Sequence, residues 1–152
     1  MSPDSPVVSE DDAEQEWREI LAASGRVTVP RVLCLEVLHR ADRHLSAREI
    51  LDQVSREFPS IKLSTIYRTM AWFLEIGLAH RVDSPQGSHF GAGAAHAHTL
   101  CIGCGQIVDV PDVDPATFRL PGLPRISESP VSGLTIQITC ATCSKASNSR
   151  PR

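Results

Sequence analysis

Two pairs of closely spaced cysteines constrain the fold of this chain more than any other feature. Cys101-Ile-Gly-Cys104 and Cys140-Ala-Thr-Cys143 are both Cys-x-x-Cys knuckles. Two thiolates at this spacing turn back on one metal ion, and two such pairs supply the tetrahedral sulfur shell that zinc prefers. Four sulfur ligands leave no open position on the metal. We therefore expect a structural zinc ion that holds the surrounding segments together.

Two disulfide bonds or a thioredoxin-like redox pair are the other interpretations of the same four cysteines. Disulfides are typical of secreted proteins, and neither pair lies in the βαβ context of a redox motif. Gly103 and Gly105 supply the backbone freedom that a tight knuckle needs, which favours the zinc site. The fifth cysteine, Cys34, falls inside a predicted helix, where we expect it to be a small packing residue.

The first half of the chain has the pattern of four helices followed by a β-hairpin. The helices are predicted from Trp17 to Gly25, from Thr28 with Pro30 in its first turn, from the capping box Ser46–Glu49 to before Pro59, and from Ser64 to a C-cap at Gly77. Two short strands, 78–82 and 88–90, flank a Ser-Pro-Gln-Gly turn. Three helices and a hairpin, here behind one extra helix, form the order of a winged helix-turn-helix.

The second half of the chain is predicted to contain mainly strands. Thr99–Ile102, Ile107–Val110 and Leu134–Thr139 alternate in polarity or are β-branched, and a short helix fits near 112–120. The fold class is therefore α+β, with a winged-helix domain at the N-terminal end and an α/β domain that contains the cysteines.

Charge and hydropathy limit the functional classes. The net charge is -3, but residues 1–25 hold seven acids and one Arg, whereas residues 26–81 hold nine Lys and Arg against six acids. A basic segment behind an acidic tail permits DNA binding. The apolar runs are too short for a membrane span, and the N-terminus lacks the pattern of a signal peptide. We expect a cytoplasmic protein with no membrane partner.

Several motifs in this order resemble the ferric uptake regulator family of bacterial metal-responsive repressors. Val29-Pro30-Arg31 is similar to the family's helix opening, and Ser64-Thr-Ile-Tyr-Arg68 is similar to its recognition-helix signature. Ala95-His-Ala-His98, followed by Cys101-x-x-Cys104-Gly105, is similar to its histidine-rich segment and first knuckle. The resemblance extends from about Val27 to Cys143.

The resemblance implies a homodimer that binds double-stranded DNA at a palindromic operator. Its implied organisation is a disordered tail at 1–12, a winged-helix DNA-binding domain at 13–90, a hinge at 91–95, a dimerisation and metal-binding domain at 96–143, and a disordered tail at 144–152. Tyr67 corresponds to the family's base-contacting position, and Arg31 and Arg68 are expected to contact phosphate or base edges. Thr65 and Thr69 are expected on the same exposed face as Arg68, opposite the apolar stripe of the helix.

Histidines are the candidate ligands of a second, regulatory metal. His96 and His98 are two residues apart, so on a strand they point to the same side and can share one ion. By resemblance, His80 matches an acidic ligand position of zinc-uptake members, and His44 matches a histidine of iron- and peroxide-sensing members. His89 lies beside the position of the family's carboxylate or cysteine ligand.

The predicted regulatory site therefore combines ligands from the wing and from the segment after the hinge. The expected ligands are His80, His89, His96 and His98, with His44 and Asp109 as further candidates. Imidazole suits zinc, nickel, iron and copper, so the ligand type leaves the metal open.

A third metal site, which many members of the family have, is predicted to be absent. Its positions in the histidine-rich segment are Ala95 and Ala97, its acid position is near Ala116, and Ser132 stands near its late histidine. We expect two metals per chain rather than three.

The sequence thus predicts a metal-dependent transcriptional repressor of metal homeostasis genes, with Zn²⁺ as the expected signal. A Ni²⁺- or Fe²⁺-responsive regulator of the same family is the nearest alternative. A zinc-ribbon interaction module without DNA binding is an alternative from a different class. We do not expect an enzyme, because a zinc deaminase would need His-x-Glu and Pro-Cys-x-x-Cys motifs, and neither is present.

Overall fold

A computed structural model describes residues 10–25, 27–111, 113 and 133–148 of the chain. The helices are α1 (Glu10–Ala23), α2 (Val29–Arg40), α3 (Ala47–Val54), α4 (Leu63–Glu75) and α5 (Ala141–Asn148). The strands are β1 (Leu45–Ser46), β2 (Ala79–Ser84), β3 (Gly87–Ala92), β4 (Ala97–Cys101), β5 (Ile107–Val110) and β6 (Thr135–Ile138). No helix in these described ranges has both the length and the apolar character needed to cross a membrane.

Local signals fix the ends of the helices in the first half. Ser46 and Glu49 form a complete capping box: the Ser46 Oγ accepts from the Glu49 backbone, and the Glu49 carboxylate accepts from the Ser46 backbone N–H at 2.8 Å. Pro30 occupies the first turn of α2, where a missing N–H costs nothing. Gly77 has a φ of 75°, a left-handed conformation that ends α4 and turns the chain into β2.

The helices α2, α3 and α4 pack against a three-stranded antiparallel sheet with the order β1-β3-β2. Ile66, Met70 and Phe73 of α4 have no exposed surface and form the centre of the core. Trp17 of α1 is buried in the same core. This arrangement confirms the predicted winged helix, with β2 and β3 as the wing.

The second sheet has the order β5-β4-β6. Its central strand, β4, pairs antiparallel with β5 and parallel with β6. The turn between β4 and β5 is the first cysteine knuckle, and the second knuckle follows β6 and enters α5. His98 and Cys101 both belong to β4, so one strand carries ligands of both candidate metal centres.

Element bounds differ from the prediction where the local signal was weak. The strand β3 continues to Ala92, so the first two residues of the predicted hinge at 91–95 belong to the wing. The helix α5 covers part of the predicted C-terminal tail, because 144–148 continue the helix that starts behind the second knuckle. Likewise, α1 starts at Glu10, inside the predicted N-terminal tail. The helix predicted near 112–120 lies outside the described residues, apart from residue 113.

Candidate metal centres and recognition helix

The sulfur atoms of Cys101, Cys104, Cys140 and Cys143, here called the cysteine cluster, lie within 4.8 Å of one another. The Cys104 and Cys140 sulfurs are 3.9 Å apart. A tetrahedral zinc site with bonds of about 2.3 Å places its sulfurs about 3.8 Å from one another. The spacing is far longer than a disulfide bond of about 2.0 Å. The four thiols are therefore brought together, as the sequence predicted, at a spacing that fits the ligands of one tetrahedral metal ion.

Backbone geometry around the first knuckle explains its two glycines. Gly105 has a φ of 75°, which a side chain rarely allows. A Cβ atom at Gly103 would lie 2.9 Å from the Cys143 sulfur, so the missing side chain lets the second knuckle approach. The Cys140 backbone N–H donates to the Cys101 sulfur at 3.2 Å and, with the N–H groups of the first knuckle, lowers the pKa of that thiol to about 6. A lowered pKa favours the thiolate that zinc requires.

Four imidazoles form a second group of candidate metal ligands, here called the histidine cluster. Its members are His44, His80, His96 and His98, which each offer a nitrogen within 4.8 Å of the others. His44 lies directly before β1 and His80 lies on β2, whereas His96 precedes β4 and His98 lies on it. The winged-helix half and the second half of the chain thus contribute two candidate ligands each.

Within the histidine cluster the rings are close, and three of the four are shielded from solvent. The Nε2 atoms of His44 and His80 are 2.8 Å apart, and the ring centroids of His96 and His98 are 4.2 Å apart. His80 and His98 are 1% and 0% exposed, and His44 is 8% exposed. Solvent therefore cannot satisfy most of these ring nitrogens.

The burial and hydrogen bonding of His98 indicate whether the histidine cluster fits a metal ion. Among the described residues, neither of its ring nitrogens has a hydrogen-bond partner, although the side chain is fully buried. A buried polar atom without a partner costs free energy unless something else binds it. Burial, reinforced by the neighbouring imidazoles, lowers the pKa of His98 to about 3 and that of His44 to about 4. Neutral imidazoles with free lone pairs are the form that binds divalent metals, so the residues fit such an ion.

Asp109 lies at the edge of the histidine cluster. Its Oδ1 atom is 3.3 Å from His96 Nε2, 3.5 Å from His98 Nε2 and 3.8 Å from His44 Nδ1. Partial burial opposes ionisation of this carboxyl, but the contact with His96 outweighs it and lowers the pKa. The carboxylate can therefore serve as an additional ligand or orient a ligating imidazole.

His89 requires a correction to the predicted ligand set. It lies on β3, where its Nδ1 atom is 3.1 Å from the Gly87 carbonyl and 3.5 Å from the Ser84 hydroxyl. It is not part of the histidine cluster, and His44 takes the fourth place instead. The reason is tertiary: β1 pairs with β3, which brings the loop before β1 next to the wing.

The exposed residues of α4 include two of the four DNA contacts predicted on this helix. Tyr67 is 54% exposed and Arg68 is exposed beside it, whereas Thr65 is half-buried. Thr69 is only 4% exposed, so its prediction as a DNA contact is wrong. It lies three residues after Ile66, on the buried side of the helix.

Arg31 has a different environment from the one expected of a free DNA contact. Its guanidinium lies 3.7 Å from the centroid of the Trp72 ring, a cation–π contact between α2 and α4. The sequence analysis did not predict this contact. The stacking links the start of α2 to the recognition helix.

Comparison with known proteins agrees with this arrangement. The ferric uptake regulator family model matches residues 22–116. The chain belongs to the ferric uptake regulator family. A ferric uptake regulation protein of Brucella abortus is 37% identical over 101 residues, which cover 64% of this chain and 70% of the relative. The peroxide operon regulator of Bacillus subtilis is 30% identical over 147 residues, covering 88% and 95% of the two chains.

A solved structure described as a zinc uptake regulator in complex with zinc and DNA has the same fold. Its TM-score is 0.63 at 20% identity, and the match covers 92% of this chain and 98% of that one. This chain therefore shares its α+β fold with that regulator.

Proposed function

We propose that this protein is a zinc-responsive DNA-binding repressor that acts on metal homeostasis genes as a homodimer. The observation that carries the proposal is the histidine cluster, because its four donors come equally from the winged helix and from the second sheet. Residues on both sides of one ion couple the ion to the relative position of the two halves.

His44 and His80 would hold the metal from the winged-helix side, and His96 and His98 would hold it from the second sheet. A bound divalent ion would supply the attraction that keeps four neutral imidazoles together. The two halves are joined covalently by the short connection 93–96, and the Gln86 side chain of the wing turn also lies close to Gly105 beside the first knuckle. Bending at this connection would close the two halves together and set the angle at which α4 meets DNA. The ion would favour the closed arrangement by the difference between its affinities for the closed and the open arrangement.

The donor chemistry favours zinc or nickel over harder cations. Imidazole nitrogen suits zinc, copper, iron and nickel, whereas magnesium, calcium and manganese prefer oxygen ligands. Zinc is our first proposal, supported by the solved zinc uptake regulator with the same fold. A nickel sensor has the same support from the donor set. An iron sensor is favoured by the Asp109 oxygen beside His96.

DNA binding is supported by the recognition helix and its position before the wing. Tyr67 and Arg68 are exposed on α4, and Thr65 lies two and three residues before them. A helix of this size enters the major groove, where an arginine can donate to guanine or phosphate. The Arg31–Trp72 contact would hold α4 at a fixed angle to α2.

A homodimer is supported by the apolar face of the second sheet. Val108 and Ile136 lie on either side of Thr99 in register, and they are 49% and 39% exposed. Ile138, next to Cys101 in the same register, is also 39% exposed. A face of this kind is buried favourably against a second copy, and a two-fold dimer matches a palindromic operator. The cysteine cluster would stabilise this face with a structural zinc ion.

A metal titration of DNA binding tests the proposal. Zinc-buffered protein should bind operator DNA, and His96→Ala should abolish the metal dependence while the cysteine cluster keeps its zinc. Parallel titrations with nickel and iron identify the metal as the one that acts within the range of free concentration available to that ion in the cell, since raw affinity alone follows the Irving–Williams order. A gel shift that shows no DNA binding at any metal concentration would favour the zinc-ribbon interaction module instead.

A further inference from the structure

The strand position directly opposite His80 is occupied by a glycine. In the antiparallel wing, His80 of β2 pairs with Gly91 of β3. Side chains of such a pair project to the same face of the sheet, with Cβ atoms about 5 Å apart. A residue at position 91 would therefore project towards the same space as the His80 ring.

That space is already filled by two imidazoles. A Cβ atom at Gly91 would lie 2.6 Å from His80 Cε1 and 2.7 Å from both His80 Nε2 and His44 Nε2. Non-bonded heavy atoms prefer about 3.5 to 4.0 Å. Even a methyl group at this position is incompatible with the observed place of both rings.

The backbone gives no other reason for a glycine here. Gly91 is absent from the residues with positive φ, which in the described chain are Gly25, Gly77, Gly87, Gly93 and Gly105. Alanine could therefore adopt the strand conformation of Gly91 without strain. The missing side chain provides room rather than flexibility.

A hydrogen bond on the other side of the His80 ring keeps the ring in this space. Its Nδ1–H donates to the Gly93 carbonyl at 3.1 Å, so its Nε2 atom carries the lone pair that faces the cluster. A partner of this kind fixes both the tautomer and the orientation of a ligating ring. The ring cannot retreat from an added methyl group without breaking this hydrogen bond.

We propose that Gly91 determines the ligand set of the histidine cluster, because only the absence of a side chain at this position admits His80 beside His44. The consequence is a nitrogen-rich site that selects zinc or nickel over oxygen-preferring cations. This inference rests on the proposed metal-sensing role of the cluster.

The test is a double-mutant cycle between Gly91→Ala and His80→Ala in the full-length protein. Zinc affinity of the second site is measured by competition with a chromophoric chelator, after the cysteine cluster has been filled. Gly91→Ala alone should weaken this affinity by about 10- to 100-fold. In the His80→Ala background the same change should add no more than about twofold. The His44 Nε2 atom also lies 2.7 Å from the added methyl group, but its ring can then move into the space that the His80 ring has left.

Two further measurements do not depend on bound metal. Imidazole NMR signals of the protein with an empty second site should show that the His80 hydrogen bond to Gly93 is lost in Gly91→Ala and kept in the control Ala94→Ser, whose side chain is exposed. Circular dichroism reports the fold of each variant. If Gly91→Ala fails to fold but the double variant folds, the clash with His80 is supported.

The outcomes separate this inference from the proposed function. If His80→Ala keeps full zinc affinity, the four-imidazole site itself is refuted. If His80→Ala weakens binding but Gly91→Ala does not, only the role of Gly91 is overturned. The role of Gly91 is also overturned if the effects of the two changes multiply, or if Gly91→Ala prevents folding in both backgrounds.

Discussion

Removal of one imidazole from the winged-helix side should halve the free energy by which metal binding favours DNA binding. His44 and His80 are two of the four members of the histidine cluster, and both come from the winged helix. A shift from about 1% to about 99% closed protein requires an affinity difference of about 10⁴, or about 5.5 kcal/mol. If the two ligands share this difference equally, His44→Ala leaves a factor of about 10², which gives about half-closed protein at saturating zinc.

The double variant His44→Ala/His80→Ala should respond to zinc not at all, although His96 and His98 remain. The assay is fluorescence anisotropy of labelled operator DNA, titrated with protein at saturating and at chelated zinc. His89→Ala is the matched control, because this histidine also lies on the wing sheet but outside the histidine cluster. The reasoning is refuted if the double variant keeps a full zinc response, or if His89→Ala loses as much of it as His44→Ala.

Three further predictions concern the cysteine cluster, the recognition helix and pH. Cys101→Ser should lose structural zinc and the dimer together, which metal analysis and analytical ultracentrifugation would show; a dimer with full zinc content would contradict the assignment. Tyr67→Ala and Arg68→Ala should weaken operator binding with unchanged metal content, and Arg68→Ala should reduce the salt slope by about one if it contacts a phosphate; unchanged affinity in both would place the DNA contacts elsewhere. With the second site empty, the protein should lose stability as the pH falls from about 6.5 towards 4. The reason is that His98, with a folded pKa of about 3, and His44, with one of about 4, stay neutral in the folded protein while the unfolded chain takes up protons. Urea unfolding of the parent and of His98→Ala should show a shallower pH slope in the variant, and equal slopes would count against the buried, neutral ring.

Local features of the sequence predicted much of this structure. The capping box at Ser46, the glycine after α4 and the two knuckles each act over a few residues, and each is present where it was expected. Such signals are reliable because the partner groups are fixed by the chain itself. The helix–hairpin order of a winged helix depends only on these local elements.

Features that depend on strand pairing could not be predicted in the same way. The choice between His44 and His89 depends on the pairing of β1 with β3, which brings together residues far apart in sequence. The role of Gly91 depends on the hairpin register, which places it opposite His80. Thr69 is different, because its spacing from Ile66 and Phe73 already indicates the buried arc of a helix.

The strand β4 also links the two candidate metal centres. Cys101 ends the strand and His98 lies three residues before it, so an ion bound at the cysteine cluster would fix the strand that presents His98. On the proposed function, a newly made chain would consume one zinc ion to become a detector of the second. During prolonged zinc starvation, copies synthesised without that first ion would not join the working pool. Scarcity would then act twice, by emptying finished detectors and by leaving new ones unassembled.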